Sequence, residues 1–132
     1  MADPVLELQA AILARLKSQA GVTALVGSKV YDTPPVGAEM PYISIGPGNY
    51  QTEDVDCVYG GEAMIQVDVW SKASVLSESR LIAGAVRSAL RGWEPALATN
   101  SVVTFDHWRT DYIEDDPIKH VSIRYTAIIE EP

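Results

Sequence analysis

Histidine, cysteine and clustered carboxylates are the side chains most often used in catalysis and metal binding, and this chain has few of them. It contains two histidines, His107 and His120, and one cysteine, Cys57. Neither histidine has a second histidine or a cysteine at the spacing that a metal site requires. We interpret both histidines as strand residues on a solvated face, and the thiol as unreactive because no basic residue neighbours it in sequence.

Three adjacent carboxylates, Glu114, Asp115 and Asp116, form the other group that could bind a metal ion. A calcium loop of the EF-hand type needs oxygen ligands at alternating positions and a distant glutamate, and this run has neither. Pro117 follows the run directly, which is typical of a turn between two strands. We therefore interpret the run as the solvated turn of a hairpin.

Two further motifs would indicate an enzyme, and the sequence has neither. Gly46-Pro47-Gly48 is not followed by Lys-Ser or Lys-Thr and opens no helix, so it does not predict a phosphate-binding loop. The serines do not occur in a Gly-x-Ser-x-Gly nucleophile motif. We expect a protein that is not an enzyme and that uses no metal ion or cofactor.

Residues 62–92 have the pattern of a strand that runs directly into a helix. The other predicted strands and the first helix can be arranged around this unit. The strand side chains alternate, which is typical of a strand with one buried face. One face consists of Ala63, Ile65, Val67 and Val69, and the other of Met64, Gln66, Asp68 and Trp70. Apolar residues within 81–90 then recur at helical spacing. We expect Ser71 or Ser74 to cap this helix and Gly92 to end it.

A first helix is predicted near the N-terminus, where Asp3 can cap it and Pro4 suits its first position. We expect Gly21 to end it, with at most one further turn over residues 22–26, which Gly27 closes.

Further strands are predicted over residues 42–45, 102–112 and 119–129, and apolar residues alternate along the last of them from Val121 to Ile129. Residues 29–31 indicate the start of a short strand, and the long connection over residues 49–61 is predicted to be partly stranded near Tyr50 and Thr52. The sequence therefore predicts one domain over residues 1–132, of α+β class. We expect a mainly antiparallel sheet of about four strands, with two helices packed on one face.

Aromatic, methionine and arginine side chains are predicted on the sheet face that points away from the helices. This candidate protein interface consists of Met64, Trp70, Trp108, Tyr112 and Arg124. Such residues are enriched in protein interfaces. The alternative is that some of them lie at strand ends and close the rim of the core.

The formal net charge of −8 argues against a protein that grips nucleic acid through its phosphates. It is compatible with a surface past which DNA slides without adhering. The lone cysteine fits a reducing compartment, and we find neither a signal peptide nor a stretch long enough to span a membrane. Acidic residues recur in two stretches, Glu53, Asp54 and Asp56 in a long connection and Glu114, Asp115 and Asp116 in the predicted turn. We interpret the first stretch as a solvated loop tip, and the alternative is that it becomes ordered only against a partner.

The order and spacing of several short motifs resemble one family along nearly the whole chain, from about Leu6 to Ile129. An amphipathic N-terminal helix precedes all of them. The motifs are Ala24-Leu25-Val26-Gly27-Ser28-Lys29-Val30-Tyr31, Pro34-Pro35, Pro41-Tyr42-Ile43-Ser44-Ile45-Gly46, Ile65-Gln66-Val67-Asp68-Val69-Trp70-Ser71 and Ala85-Val86-Arg87-Ser88-Ala89-Leu90. In this order they are similar to the tail-completion, or tail-terminator, proteins of long-tailed bacteriophages and phage-like gene transfer agents.

The resemblance implies a structural role without catalytic residues. Such proteins form a hexameric ring on the head-proximal end of the tail tube, where the ring ends tube polymerisation and joins tail to head. The implied partners are further copies of the chain, the tail tube protein and a neck or head-completion protein. DNA passes through the ring without specific binding. The implied location is the tail-head junction of the virion, after synthesis in the cytoplasm of the bacterial host.

Six copies at −8 would bring roughly −48 to such a ring, and the acidic residues named above are candidates for positions that face the lumen or the tube. Two alternatives stay open at this point. One is a head-side neck protein of the same assembly. The other is a small-ligand domain that uses a cleft between sheet and helices, which would require a concave pocket with converging polar groups.

Overall fold

The computed structural model describes residues 2–54 and 57–132, which form a six-stranded sheet and three helices. The helices are α1 (Pro4–Ser18), α2 (Ala20–Val26) and α3 (Ser77–Leu90). The strands are β1 (Val30–Tyr31), β2 (Tyr42–Ile45), β3 (Asn49–Thr52), β4 (Tyr59–Ser71), β5 (Ser101–Asp115) and β6 (Ile118–Glu131).

Two long strands, β4 and β6, form the centre of the sheet and pair from Tyr59 opposite Glu131 to Ser71 opposite Lys119. The strand order is β1-β2-β4-β6-β5, and β3 pairs with the first part of β4, beside β2. The pairs are antiparallel except for β1 with β2. Within the described chain, β5 pairs with β6 alone, so it is an edge strand.

One face of the sheet packs against all three helices through a single cluster of buried, mainly aliphatic side chains. The strands contribute Ala63, Ile65, Val67, Val69, Val121, Ile123, Tyr125, Ala127 and Ile129, and the helices contribute Leu8, Ile12, Leu16, Val22, Val26, Ile82, Val86 and Leu90. The alternation predicted for β4 and β6 is confirmed. Burial of this apolar surface is the main stabilising contribution.

The start of α1 is as predicted. Asp3 Oδ1 accepts hydrogen bonds from the backbone amides of Val5 and Leu6, at 2.9 and 3.0 Å, and Pro4 occupies the first helical position. The predicted end at Gly21 is wrong, because α1 ends at Ser18 and Gly21 lies inside α2.

The start of α3 differs from the prediction that Ser71 or Ser74 caps it. Leu76 occupies the N-cap position and supplies no side-chain hydrogen bond. Ser71 Oγ instead donates to Glu78 Oε1 at 2.7 Å and accepts from the amide of Ala73 at 3.1 Å, so it stabilises the connection ahead of the helix.

The end of α3 is as predicted, because Gly92 follows it with φ of 68° and adopts the left-handed conformation that glycine allows. Arg15 Nε on α1 also donates to the carbonyl oxygen of Ala89 at 2.9 Å. A helix leaves its last carbonyl groups without internal partners, so this bond satisfies one of them and joins the two helices.

The α+β class and the mainly antiparallel sheet are confirmed, but the sheet has six strands rather than about four, and three helices rather than two pack on it. The additional strands β1 and β3 lie where a short strand and a partly stranded connection are predicted, but with two and four residues they are too short for a periodic pattern to count them as full strands of the sheet. The additional helix is α2, which has seven residues where the sequence predicts at most one further turn. Gln19 alone separates it from α1.

The register of β5 against β6 shifts twice, and the second shift lies between His107 and Arg109, at Trp108. Such a bulge places two residues of one strand opposite one residue of its partner. The alternation of side chains therefore reverses after Trp108.

The bulge decides where Tyr112 lies. Tyr112 is opposite Val121, whose side chain belongs to the buried cluster, so it faces the helices. The guanidinium carbon of Arg80 on α3 lies 4.9 Å from the centroid of the Tyr112 ring. The prediction that Tyr112 projects away from the helices is wrong.

Candidate interaction surface

The sheet face opposite the helices, here called the open face, carries most of the predicted interface residues. It consists of Tyr42 and Ser44 of β2; Met64, Gln66, Asp68 and Trp70 of β4; Thr104, Asp106, Arg109, Asp111 and Ile113 of β5; and His120, Ser122, Arg124, Thr126 and Ile128 of β6. Trp108, at the bulge, joins this face, because the guanidinium carbon of Arg124 lies 5.9 Å from its ring centroid. Alternation along β4 and β6 thus placed Met64, Trp70 and Arg124 correctly, while their role as an interface stays a prediction.

A row of aromatic rings crosses one end of the open face. Tyr31 contacts Tyr42 edge-on at a centroid distance of 5.8 Å, and Tyr42 lies 6.4 Å from Trp70. Trp70 stacks on His120 with centroids 3.8 Å apart. The indole Nε1 of Trp70 donates to Ser44 Oγ at 2.9 Å, so this large side chain is fixed in orientation.

A polar network runs beside the aromatic row and links β4 to β6 and β5. Asp68 Oδ1 lies 2.7 Å from His120 Nε2 and accepts from Gln66 Nε2 at 2.8 Å. Arg124 Nε donates to Gln66 Oε1 at 3.1 Å, and its guanidinium group lies 3.8 Å from Asp111 Oδ2. The network joins three strands through side chains as well as through the backbone.

Several members of this network are buried although no helix covers them. Gln66 is 6% exposed and Asp68 is 4% exposed. Gly46 follows β2 and stays paired with β4, because its amide donates to the carbonyl oxygen of Gln66 at 2.8 Å. A Cβ atom at Gly46 would collide with the Asp68 carboxylate and the Gln66 side-chain amide, so a glycine is required beside these two side chains. The glycine-rich motif has a packing role here.

His120 differs from the prediction of a strand histidine on a solvated face. Its side chain is only 17% exposed, and it is held between Trp70 and Asp68. An aspartate paired with a histidine can orient a general base, which then needs a nucleophile at the other ring nitrogen. Among residues 2–54 and 57–132, no serine or cysteine hydrogen bonds to His120, and the pair serves the network instead.

His107 lies on the other side of the sheet, in a small surface pocket beside the end of α3. Its Nε2 atom is 2.7 Å from Thr110 Oγ1, and its ring meets Tyr125 edge-on at 5.6 Å. Burial, with the nearby guanidinium groups of Arg87 and Arg91, lowers the pKa of His107. Sequence reasoning missed the two arginines, although a spacing of four would place them on one side of a continuous helix. In the structure α3 ends at Leu90, and Arg91 is the residue that follows it.

The two acidic groups lie at opposite ends of the sheet. Glu53 and Asp54 are exposed where β3 leads towards β4, near the Tyr59 end, whereas Asp56 lies outside the described residues. The second group, Glu114, Asp115 and Asp116, lies at the turn between β5 and β6 and is exposed. Twelve residue steps along β4 separate the ends, a distance of about 40 Å at the usual rise of a strand.

One acidic residue at the second end is paired. Lys119 Nζ donates to Asp116 Oδ1 at 2.6 Å, and this hydrogen bond lowers the pKa of Asp116 and raises the pKa of Lys119. Glu114 and Asp115 form no ion pair within 4.0 Å in the part of the chain that the structure describes.

The geometry gives little support to an internal ligand site. The space between sheet and helices is filled by the buried aliphatic cluster. A cleft of about 530 Å³ between residues 92–96 and residues 102–106 of β5 is open at the surface. The described residues contain no group of three or more potential metal ligands, and none of their helices is long and apolar enough to cross a membrane. Cys57 is exposed near the start of β4.

Comparison with known proteins identifies relatives of this fold. The family model described as tail completion protein gp17 matches residues 10–130. A chain in the solved structure of the virion of a native gene transfer agent (GTA) particle superposes with a TM-score of 0.90 and 26% sequence identity. The alignment covers 98% of this chain and 99% of that one. No curated protein sequence matches significantly.

The family model covers most of the sequence, and the gene-transfer-agent chain shares the fold over nearly its whole length. The resemblance drawn from the motifs is therefore confirmed. The chain belongs to the tail completion protein gp17 family and is a structural protein of a phage or gene-transfer-agent virion.

Proposed function

We propose that this chain, acting as one domain over residues 1–132, caps the head-proximal end of the tail tube as a hexameric ring. The ring ends tube polymerisation and joins the tail to a neck protein of the head. The observation that carries the proposal is the 15-residue edge strand β5, which pairs on one side only within the described chain. A long free edge is a template for pairing with another chain.

A closed ring needs two different surfaces on each copy that fit each other. The sheet offers two unlike edges, the long β5 on one side and the short β1 and β3 on the other. In the proposed ring, the β5 edge of one copy meets the opposite side of the next. Trp108 and Ile113 are exposed on β5, and they would supply apolar contact area.

The open face is the surface proposed to meet the tube protein or the neck protein. Met64, Trp70, Trp108 and Arg124 remain its candidate contacts, with the aromatic row and polar network holding several of them in fixed positions. Pre-ordered side chains lose less conformational freedom on binding than mobile ones do. Tyr112 does not belong to the open face, but it is exposed on β5, and we propose that it contacts the neighbouring copy.

The acidic residues are proposed to face the lumen and the tube, where they keep DNA from adhering as it passes. Because about 40 Å separates the two groups, they cannot share one position in the ring. Asp54 and Glu53 would lie at one rim and Glu114 to Asp116 at the other, with Asp56 assigned to the first by sequence proximity alone. No specific contact with DNA is proposed.

Electron microscopy of particles that lack this chain tests the proposal. We expect tails of uncontrolled length, or tails detached from heads, and restoration of both by the wild-type chain. Complementation with Trp108→Asp should fail, whereas Leu6→Asp on α1, which is equally exposed but lies on a helix, should succeed. Tails of normal length on a particle without this chain would refute the capping role.

Cross-linking separates the proposal from the neck-protein alternative. A cap on the tube should cross-link to the tube protein through the open face as well as to the head side. Cross-links to head-side proteins alone, on tails of normal length, would assign the chain to the neck.

A further inference from the structure

A small pocket beside the C-terminal end of α3 gathers positive charge on a chain whose formal net charge is −8. We call it the arginine pocket. It is lined by Arg87, Leu90, Arg91, Gly92, Phe105, Asp106, His107 and Tyr125, and it encloses about 220 Å³. Arg87 lies in the last turn of α3, Arg91 directly follows the helix, and both line the pocket. The pocket lies on the helix-covered face, away from the open face.

Two buried polar atoms in its lining have no hydrogen-bond partner among the described residues. They are the hydroxyl group of Tyr125, whose side chain belongs to a residue only 2% exposed, and Nε of Arg87. More than nine-tenths of buried polar groups in native proteins have a hydrogen-bond partner, so two unpartnered atoms in the lining of one pocket need an explanation. A ligand that accepts hydrogen bonds would satisfy both.

The charges around these two unpartnered atoms indicate which class of ligand the pocket would bind. In the described ranges, no carboxylate lies within 4.0 Å of Arg87 or Arg91. Asp106 borders the pocket, but its place opposite Thr126 directs its side chain to the other face of the sheet. Burial raises the pKa of Tyr125 to about 12, against the opposing effect of the two arginines, so its hydroxyl group remains a donor at neutral pH.

We infer that the arginine pocket binds a carboxylate group, and that its occupant in the assembly is an acidic side chain from a second copy of this chain. This identification of the occupant rests on the ring proposed above. A carboxylate accepts paired hydrogen bonds from an arginine and a third from a hydroxyl group, which matches the donors present. The size suits one carboxylate on a short stem.

Exposed acidic residues after β3, on the opposite side of the sheet, supply the occupant. Glu53 and Asp54 form no ion pair within 4.0 Å in the described chain. They belong to the side of the sheet that meets β5 of the neighbouring copy in the proposed ring. Insertion of one of them, with the other left at the rim, would neutralise charge at each contact of a strongly acidic assembly. A DNA phosphate is disfavoured, because the surrounding acidic surface repels the duplex.

Titration of the isolated chain with sodium acetate, followed by NMR of the Tyr125 and His107 rings, tests the pocket without any ring. We expect saturable shifts that sodium chloride at equal ionic strength does not produce, and a rise in the pKa of His107 as a negative charge binds nearby. Arg87→Gln should weaken acetate binding at least tenfold, whereas Arg80→Gln on the same helix should not. Absence of saturable, Arg87-dependent shifts would overturn the inference.

Charge reversal tests which residue occupies the pocket. The variants are added to tail tubes under conditions in which the wild-type chain caps them, and ring closure is scored. Arg87→Glu with Arg91→Glu should abolish ring closure, and addition of Glu53→Arg with Asp54→Arg in the same chain should restore it. Lys17→Glu, at an exposed position of α1, is the control for charge reversal and should leave closure intact. Acetate binding without any effect of charge reversal on the ring would refute the second copy as occupant.

Competition with DNA tests whether the pocket binds a phosphate rather than a carboxylate. A short DNA duplex should not displace acetate from the pocket at physiological salt. Displacement by the duplex would assign the pocket to phosphate and overturn the carboxylate assignment. If the wild-type chain caps no tubes at all, the proposed function fails, while the acetate titration still decides the pocket.

Discussion

The two faces of one sheet are buried by different means. The helix-covered face is closed by aliphatic side chains from β4, β6 and the three helices. The open face has no helix above it, yet Gln66, Asp68 and Ser122 are nearly as inaccessible to water. There, cross-strand hydrogen bonds, a stacked Trp-His pair and the close approach of Gly46 beside β4 exclude the solvent. Apolar burial sets the stability of the fold, whereas directional contacts fix a surface in one arrangement, as a docking face requires.

Truncation of isoleucines on the two faces should give the largest difference. Ile123 is fully buried against the helices, and Ile128 is 36% exposed on the open face of the same strand. Ile123→Ala should lower the free energy of unfolding by about 2–5 kcal/mol, through lost burial and the cavity left behind. Ile128→Ala should lower it by less than about 1 kcal/mol. Equal losses in urea unfolding would break the comparison.

Removal of the Asp68 carboxylate should have an intermediate effect. Asp68→Ala leaves His120 and Gln66 without their shared acceptor, which should lower the free energy of unfolding by about 1–3 kcal/mol. Asp68→Asn keeps the shape and one acceptor oxygen, so its loss should be smaller. Near-neutral behaviour of both variants in urea unfolding would show that the network does not stabilise the open face.

The helix-covered side also has a polar link, which should make stability depend on pH. Glu7 on α1 accepts hydrogen bonds from the backbone amides of Thr99 and Asn100 and from the Asn100 side chain. The backbone bond from Asn100 is the main reason that the pKa of Glu7 lies below its ordinary value of 4.5. The stabilisation is therefore complete above that value and is lost as pH falls through the lower folded pKa.

Glu7→Gln removes this titration, so thermal unfolding of the variant should fall less steeply than that of the wild type below about pH 4.5. Near pH 7 the variant should be the less stable of the two, because an amide accepts these bonds more weakly than a carboxylate does. Identical pH profiles would show that Glu7 does not link α1 to the segment before β5.

The smallest expected effect is at Tyr125. Its buried hydroxyl group has no partner in the described chain, so Tyr125→Phe should leave the free energy of unfolding unchanged or raise it slightly. Thermal unfolding of the isolated chain gives the measurement. A loss above about 1 kcal/mol would show that the hydroxyl is already satisfied in the free chain.

Periodicity predicted those parts of the fold where one rule holds over many residues. In β4 and β6 it separated the residues of the buried face from those of the open face. It thereby placed Met64, Trp70 and Arg124 on the open face. It failed at Tyr112, because an extra residue at Trp108 reverses the alternation and no sequence signal marked the bulge. It also failed at the cap of α3, because Ser71 bonds Glu78 instead of the free amides.

The candidate sites were harder to predict, because their members are far apart in sequence. The Asp68–His120 pair spans 52 residues and forms only when β4 and β6 lie side by side. The arginine pocket joins α3, β5 and β6 in the same way. Single-sequence reasoning saw His120 and Arg87 each among its neighbours in the chain, where neither has a partner.

The central claim is that copies of this chain close into a ring through the edge of β5, with the open face turned to a protein partner. An electron cryomicroscopy reconstruction of the head-proximal tail end tests it most directly. The account predicts six copies, with β5 of each covered by the next and Trp108 buried. Copies that meet only through their helices, and leave β5 and the open face in solvent, would contradict it.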